Sequence, residues 1–172
     1  MAKLKTALII ATMAVAVAGC QKKRPDTLPP GPGGPVEPGP GPGPDGGSGV
    51  AQPGSPEHFR QNVVSDTINF DLDQYDIDAR ARQILDSQAQ WLTQYQNTRI
   101  TLEGHADERG TREYNLALGD RRANAAKNYL AARGVSPSRI TTISYGKERP
   151  IALGSDEASW AQNRRAVTIV IN

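Results

Sequence analysis

The chain has 172 residues, a formal net charge of +2, one cysteine and two histidines. A single cysteine excludes an intrachain disulfide and a cysteine-rich zinc site, and two histidines exclude a histidine-rich metal cluster. Lys3 and Lys5 supply the whole net charge, because the other acidic and basic side chains balance. This balance gives no support to nucleic-acid binding. We expect a protein that holds no metal, cofactor or nucleic acid.

Residues 1–19 have the layout of a secretory signal. Lys3 and Lys5 precede an apolar run from Thr6 to Ala18, which is too short to span a bilayer comfortably. Small residues then lead directly to Cys20, as in the bacterial lipobox, where the thiol is lipidated and cleavage leaves the cysteine as the new N-terminus. A cysteine suits this reaction because its sulfur is a strong nucleophile. The alternative is an ordinary signal peptide with an incidental cysteine.

Acylation of Cys20 predicts a lipid anchor in the outer membrane. Several acyl chains on one residue hold a protein durably at a membrane, whereas a single chain holds it only marginally. In lipoproteins of this class an aspartate after the cysteine favours retention in the inner membrane, and this chain has Gln21 there. We therefore expect the acylated cysteine to contact outer-membrane lipid and the rest of the chain to lie in the periplasm.

Residues 20–56 are predicted to be a disordered linker. Proline or glycine occupies 21 of the 32 positions from Pro25 to Pro56. Such a segment has too few apolar side chains to offset the entropy lost on ordering. Its reach is about 30 Å as a flexible coil and about 100 Å when fully extended. Residues 57–172 contain only two prolines and are predicted to form the folded domain.

The first half of the folded domain reads as strand, helix, strand. Thr67–Phe70 alternates and predicts a strand with Ile68 and Phe70 inward. From Asp76, the expected capping residue, to about Tyr95 the apolar period becomes helical. The positions on this helical face are Ile77, Ala81, Leu85, Ala89 and Leu92. The alternating segment Arg99–Glu103 predicts the second strand.

The second half predicts a longer helix followed by two strands. This helix runs from Asn115 or Leu118 to Arg133, and Gly134 suits the left-handed position that ends it, with the next residue, Val135, contacting Leu130. The last elements are a strand over Ile140–Tyr145, a helical turn around Asp156–Gln162, and a β-branched strand over Arg165–Ile171.

This order predicts an α+β domain, a β-α-β-α-β-β mixed sheet with its helices packed on one face. Both helices connect strands over distances too long for hairpins. The two strands that each helix connects are therefore expected to pair in parallel, with the helix as the crossover.

A dense polar stretch, Gly104–Tyr114, leaves the second strand and enters the second helix. Ligands collect at such strand ends, and a helix N-terminus offers free N–H groups. On a helical projection Arg122 lies at the edge of the buried face, where a guanidinium requires an acid or an anionic ligand. If the helix begins near Leu118, its N–H group and Arg122 point to the same place.

Five motifs resemble those of the OmpA-like peptidoglycan-binding domain, over nearly all of residues 64–172. They are Phe70–Ile77, Gly104–Tyr114, Leu118–Asn124, Ser144–Glu148 and Asn163–Val167. The resemblance implies non-covalent binding of meso-diaminopimelate in peptidoglycan stem peptides and no enzymatic activity, so no catalytic residue is expected.

The resemblance also assigns roles to individual residues. Asp107 would pair with the ammonium of the ligand, and Arg122 would bind a carboxylate through two N–H groups. Asp73 and Leu118 match positions whose backbone N–H groups hold the ligand carboxylate. The supporting residues, which would shape the wall or the loop, are Tyr75, His105 and Asn115.

The lipoprotein branch of this family also engages proteins of the Tol system, chiefly periplasmic TolB, in keeping the envelope intact and constricting the outer membrane during division. Two alternatives stay open: a wall-binding lipoprotein outside that system, and a peptidoglycan hydrolase that uses Asp73, His105 and Asp107 as acid and base. Asp107 and Arg122 could also form a purely structural salt bridge. Arg164 and Arg165 could bind an anion or pair with acidic loop residues.

Overall fold

A computed structural model describes residues 51–171. The predicted signal segment, the lipidation site at Cys20 and most of the predicted linker lie outside the described residues. Within the described range, no helix is both long enough and apolar enough to cross a membrane.

The described residues form four α-helices and four strands, in the α+β arrangement that the sequence predicts. The helices are α1 (Pro56–Asn62), α2 (Ala79–Gln94), α3 (Arg112–Ala132) and α4 (Glu157–Asn163). The strands are β1 (Thr67–Asn69), β2 (Arg99–His105), β3 (Ile140–Gly146) and β4 (Arg165–Ile171). A short 3-10 turn, Pro137–Arg139, leads into β3.

The four strands form one mixed sheet in the order β1-β4-β2-β3. β2 and β3 pair in parallel, as expected for strands joined by a helical crossover. β1 and β2 run in the same direction, but the expectation that they pair is wrong. β4 lies between them and pairs antiparallel with both. The C-terminal strand therefore occupies a central position, with hydrogen bonds on both of its edges.

Helices α1, α2 and α3 pack against the sheet and form a single apolar core with it. Its residues include Ile68, Leu85, Leu92, Ile100, Leu102, Ala126 and Leu130. α3 lies close to β2 because glycines face each other there. A Cβ atom on Gly104 would overlap the backbone of Gly119, so this contact requires residues without side chains.

The first helix is absent from the sequence-based prediction. Ser55, which the sequence places in the linker, caps it by accepting a hydrogen bond from the backbone N–H of His58 (3.1 Å). Pro56 occupies its first turn, and Phe59 is buried with its ring edge-on to Trp91 at 5.0 Å. With seven residues and one core side chain, this helix is too short to give a periodic signal.

Both long helices begin at residues other than those expected. Asp78, and not Asp76, caps α2, accepting from the backbone N–H of Ala81 at 2.6 Å. Thr111 caps α3, accepting from the N–H of Tyr114 at 3.2 Å. The prediction that α3 starts at Asn115 or Leu118 is therefore wrong. Leu118 lies well inside the helix, where a backbone N–H bonds to the preceding turn and is not free for a ligand.

The predicted end of α3 is confirmed in detail. Gly134 has φ +93°, in the left-handed region that favours glycine. Its N–H donates to Ala131 O at 3.0 Å, and the N–H of Val135 donates to Leu130 O at 3.1 Å. These are the two hydrogen bonds of a Schellman motif, and Val135 is buried beside the helix it ends.

Candidate ligand site

A cavity of about 260 Å³ opens between the loop after β1, the β2–α3 loop and the first turns of α3. All four residues assigned to the ligand line it: Asp73, Asp107, Leu118 and Arg122. Asn115 also lines it. The remaining lining residues are Leu72, Ala106, Arg109, Gly110, Tyr114 and Arg164. Acidic, basic and apolar groups thus meet in a space of amino-acid size.

Arg122 is completely buried and ties three segments together. Its Nε donates to Gln74 O at 2.9 Å and its Nη2 to Asp71 O at 3.0 Å, both in the loop after β1. Its Nη1 donates to His105 O at the end of β2, at 2.8 Å. A guanidinium has five N–H donors, so two remain beyond these three hydrogen bonds. Arg122 therefore builds the cavity wall and still has donors to offer.

The positive charge of Arg122 has no directly paired carboxylate among residues 51–171. Burial, followed by repulsion from Arg164, lowers the pKa of Arg122 to about 10. The side chain is therefore still charged at neutral pH. A buried cation without a paired acid, at the wall of an open cavity, suits an anionic ligand group.

Asp107 supplies the opposite charge at the same cavity. Its carboxylate accepts from Arg109 Nη2 at 2.6 Å and Nε at 3.2 Å, and Arg164 Nη1 lies 3.5 Å away. Burial alone would raise the pKa of Asp107, but hydrogen bonds from Arg109 outweigh it and leave this pKa below its ordinary value. The carboxylate is consequently ionised at neutral pH.

Asp73 and Leu118 contribute in different ways. Asp73 adopts a left-handed backbone conformation (φ 56°), which aspartate tolerates better than most residues. It sits in a turn that closes with a hydrogen bond from Gln74 N to Asp71 O at 3.2 Å, the same carbonyl that Arg122 holds. Leu118 is buried and gives the cavity an apolar wall.

Of the three supporting residues, Asn115 shapes the loop. Its Nδ2 donates to Arg109 O at 2.7 Å and to Thr111 O at 3.1 Å, which fixes the loop before α3. Tyr75 does not line the cavity: it is exposed, with the guanidinium carbon of Arg121 5.9 Å from its ring centre.

The side chain of His105 lies away from the cavity. Gly104 faces α3, so alternation along β2 directs the next side chain to the opposite face of the sheet. There the imidazole is buried 5.6 Å from the Tyr145 ring, and no described residue hydrogen-bonds either ring nitrogen; Glu103 Oε2 lies 3.7 Å from Nε2. Burial first, then Arg165 and Arg149, lowers its pKa to about 4. The acid–base set that a hydrolase would need from Asp73, His105 and Asp107 is therefore not assembled.

Arg109 and Arg164 line the site but were not assigned to it from the sequence. Arg109 follows Asp107 by two residues, within the polar stretch that the sequence singled out, so spacing alone could have indicated it. Arg164 comes from the far end of the chain. It donates to Phe70 O at 3.0 Å and pairs with Glu157 at 2.7 Å, in addition to its contact with Asp107. Of the two alternatives open for Arg164, the structure shows pairing with acidic residues.

Comparisons with known proteins agree with the fold. The sequence pattern of the OmpA family matches residues 69–164. A peptidoglycan-associated lipoprotein of Agrobacterium fabrum is 53% identical over 95% of this chain and 86% of its own length. One from Pseudomonas aeruginosa is 47% identical over 94% and 93%. The crystal structure of the peptidoglycan-associated lipoprotein from Burkholderia pseudomallei superposes with a TM-score of 0.61 at 44% identity, covering 62% of this chain and 91% of that one. The chain therefore belongs to the OmpA family, in its group of peptidoglycan-associated lipoproteins.

Proposed function

We propose that this chain is an outer-membrane lipoprotein whose folded domain binds peptidoglycan without a covalent bond, tethering the membrane to the cell wall. Its relatives are named peptidoglycan-associated lipoproteins, which supports peptidoglycan as the ligand. The lipobox-like sequence at Cys20 and the proline- and glycine-rich linker support an anchored domain with a long reach.

The observation that carries this proposal is the pairing of opposite charges in one cavity. Asp107 presents an ionised carboxylate, and Arg122 presents a buried guanidinium that no described carboxylate neutralises. The free end of meso-diaminopimelate carries an ammonium and a carboxylate on one carbon atom. Such a zwitterion satisfies both protein charges at once, and charge-assisted hydrogen bonds are the strong ones.

The geometry favours recognition of this amino-acid end by shape as well as charge. The cavity has room for a group of that size, and Leu72 and Leu118 offer apolar walls for the methylene chain behind it. The planar fork of Arg122 suits a carboxylate better than a lysine would.

We expect the substitution Asp107→Asn to weaken binding of a stem tripeptide that ends in meso-diaminopimelate by at least about tenfold, because one charge-assisted contact is lost. Isothermal titration calorimetry measures the change. Asp120→Asn, an exposed position on α3, is the matched control and is expected to bind like the parent. Equal binding by Asp107→Asn and the parent would refute the assignment of Asp107 to the ligand ammonium. A tripeptide ending in lysine lacks the second carboxylate, so if the parent bound it as tightly as the diaminopimelyl tripeptide, the assignment of Arg122 to that carboxylate would be refuted.

We further propose that the domain takes part in the Tol system by binding TolB through a face that overlaps the cavity. Leu72 and Tyr114 support this, because both are about half exposed at the cavity and offer apolar area to a protein partner.

If the two ligands share this face, excess diaminopimelyl tripeptide is expected to displace labelled TolB from the domain in a fluorescence-anisotropy titration. The lysine-ending tripeptide serves as the control and should displace less. Retention of TolB at saturating tripeptide would contradict a shared face, and no binding of TolB at all would favour a wall-binding lipoprotein outside the Tol system.

A further inference from the structure

The carboxylate of Asp107 is fully occupied by protein donors in the free domain. A carboxylate offers about four lone-pair sites. Oδ1 accepts from the backbone N–H of Arg109 at 3.1 Å and from its Nε at 3.2 Å. Oδ2 accepts from Arg109 Nη2 at 2.6 Å and from Arg164 Nη1 at 3.5 Å. A ligand ammonium therefore has to displace one of these donors before it can bind.

The side chain of Arg109 is the donor that can leave. It is 34% exposed, whereas the side chain of Arg164 is 7% exposed and also holds Phe70 O and Glu157. Moving Arg164, the residue directly before β4, would break its contact with Phe70 in the loop after β1 and its ion pair with Glu157. Moving the Arg109 side chain breaks only its own fork on the carboxylate and leaves its backbone N–H bond in place.

An alternative acid for Arg109 lies beside Asp107. Its Nη1 lies 3.8 Å from Glu157 Oε2, and its guanidinium carbon lies 4.0 Å from the centre of the Trp160 ring. Trp160 is held in place by a hydrogen bond from its Nε1 to Glu108 Oε1 at 2.9 Å. The guanidinium can rotate toward Glu157 while it keeps its stacking contact with the indole.

We propose that Arg109 is a built-in competitor for the ammonium of the ligand. In the free domain its guanidinium neutralises Asp107, and in the bound domain it pairs with Glu157 and yields the carboxylate. This inference rests on the proposed function, since it concerns the same site. It implies that the affinity for peptidoglycan depends on how much more strongly Asp107 binds the ligand ammonium than the guanidinium of Arg109.

The test is the substitution Arg109→Gln, which removes the competing cation. It is expected to tighten binding of the diaminopimelyl tripeptide by roughly twofold to fivefold, the range of a partly exposed ion pair. Arg109→Lys, which keeps the charge but loses the fork, should fall between the parent and Arg109→Gln. Arg112→Gln is the matched control, because Arg112 is 61% exposed and pairs with Glu148 at the surface.

A tripeptide in which 2-aminopimelate replaces meso-diaminopimelate separates this proposal from the one it rests on. This analogue keeps the distal carboxylate and lacks the distal ammonium, so Arg109→Gln should not improve its binding. Unchanged or weaker binding of the natural tripeptide by Arg109→Gln, with this variant still preferring it over the analogue, would overturn the competitor role alone. Equal affinity of Arg109→Gln for both tripeptides would overturn the pairing of Asp107 with an ammonium, and the competitor role with it. Circular dichroism of each variant verifies that the domain is folded.

Discussion

Replacing Arg122 by methionine is expected to destabilise the folded domain by about 3–5 kcal/mol. The reason is structural, because the guanidinium donates to three backbone carbonyls, two in the loop after β1 and one at the end of β2. Methionine fills much of the same space but takes a donor from the buried His105 O and from the two partly buried loop carbonyls, of which Asp71 O keeps the N–H of Gln74. A buried group left unsatisfied costs about 1–3 kcal/mol, and each further hydrogen bond lost costs about 1 kcal/mol. Urea denaturation followed by circular dichroism measures the loss.

Arg121→Met provides the control for this prediction. Arg121 is the exposed neighbour on the same helix, so its replacement should change the free energy of unfolding by less than about 0.5 kcal/mol. If both variants unfold at the same urea concentration as the parent, the carbonyl contacts do not stabilise the domain and the structural role assigned to Arg122 is wrong.

The double role proposed for Arg122 affects how binding experiments are interpreted. Loss of its side chain removes the proposed donor to the ligand and also loosens the turn that contains Asp73. A binding defect in an Arg122 variant therefore mixes two causes. Asp107→Asn is the cleaner probe of ligand recognition, because asparagine keeps the shape of the side chain and an oxygen that can accept from the backbone N–H of Arg109, and it removes only the negative charge.

Elements that are defined by neighbouring residues, such as β4 and the end of α3, can be predicted from the sequence. β4 has the predicted bounds Arg165–Ile171, because a run of β-branched residues follows directly on a polar segment. The end of α3 is also local, since Gly134 and Val135 complete it with two short-range hydrogen bonds. α1 escaped prediction because a single buried side chain, Phe59, gives no period to detect.

The position of β4 in the sheet is a long-range property. Its neighbours β1 and β2 are both far away in sequence, and each strand's own pattern of alternation is compatible with several orders. The rule that connected parallel strands lie side by side gives the correct result for β2 and β3, and it fails for β1 and β2 because β4 inserts between them.

Parts of the candidate site can likewise be predicted from local patterns, whereas other parts depend on long-range contacts. The helical period places Arg122 at the edge of the buried face, and the polar stretch after β2 indicates Asp107. The carbonyls that Arg122 holds are 17, 48 and 51 residues away, so no local pattern reveals them. For His105 a usable signal existed. The alternation of Ile100 and Leu102 in β2 puts Gly104 on the core face of the sheet and the side chain of His105 on the opposite face, away from the cavity.

His105 is expected to make the stability of the domain depend on pH. Its pKa is about 4 in the folded domain against 6.5 for an ordinary histidine, because burial and the nearby Arg165 and Arg149 disfavour the imidazolium. Between these values the unfolded chain binds more protons, so this contribution to stability is complete above pH 6.5 and is lost as the pH falls toward 4. At pH 5 the loss amounts to about 2 kcal/mol.

His105→Phe tests this dependence by removing the titrating group while keeping a ring against Tyr145. The free energy of unfolding at pH 7.5 and pH 5, measured by urea denaturation, should differ by about 2 kcal/mol less in this variant than in the parent. His105→Gln is the second variant: its buried amide lowers stability at both pH values, but the difference between them should shrink by the same amount. Glu103, whose Oε2 lies 3.7 Å from His105 Nε2, is kept in both variants. An unaltered pH difference in both variants would mean that the imidazole is hydrated or paired in solution, and that the buried, unpartnered geometry of this side chain is wrong.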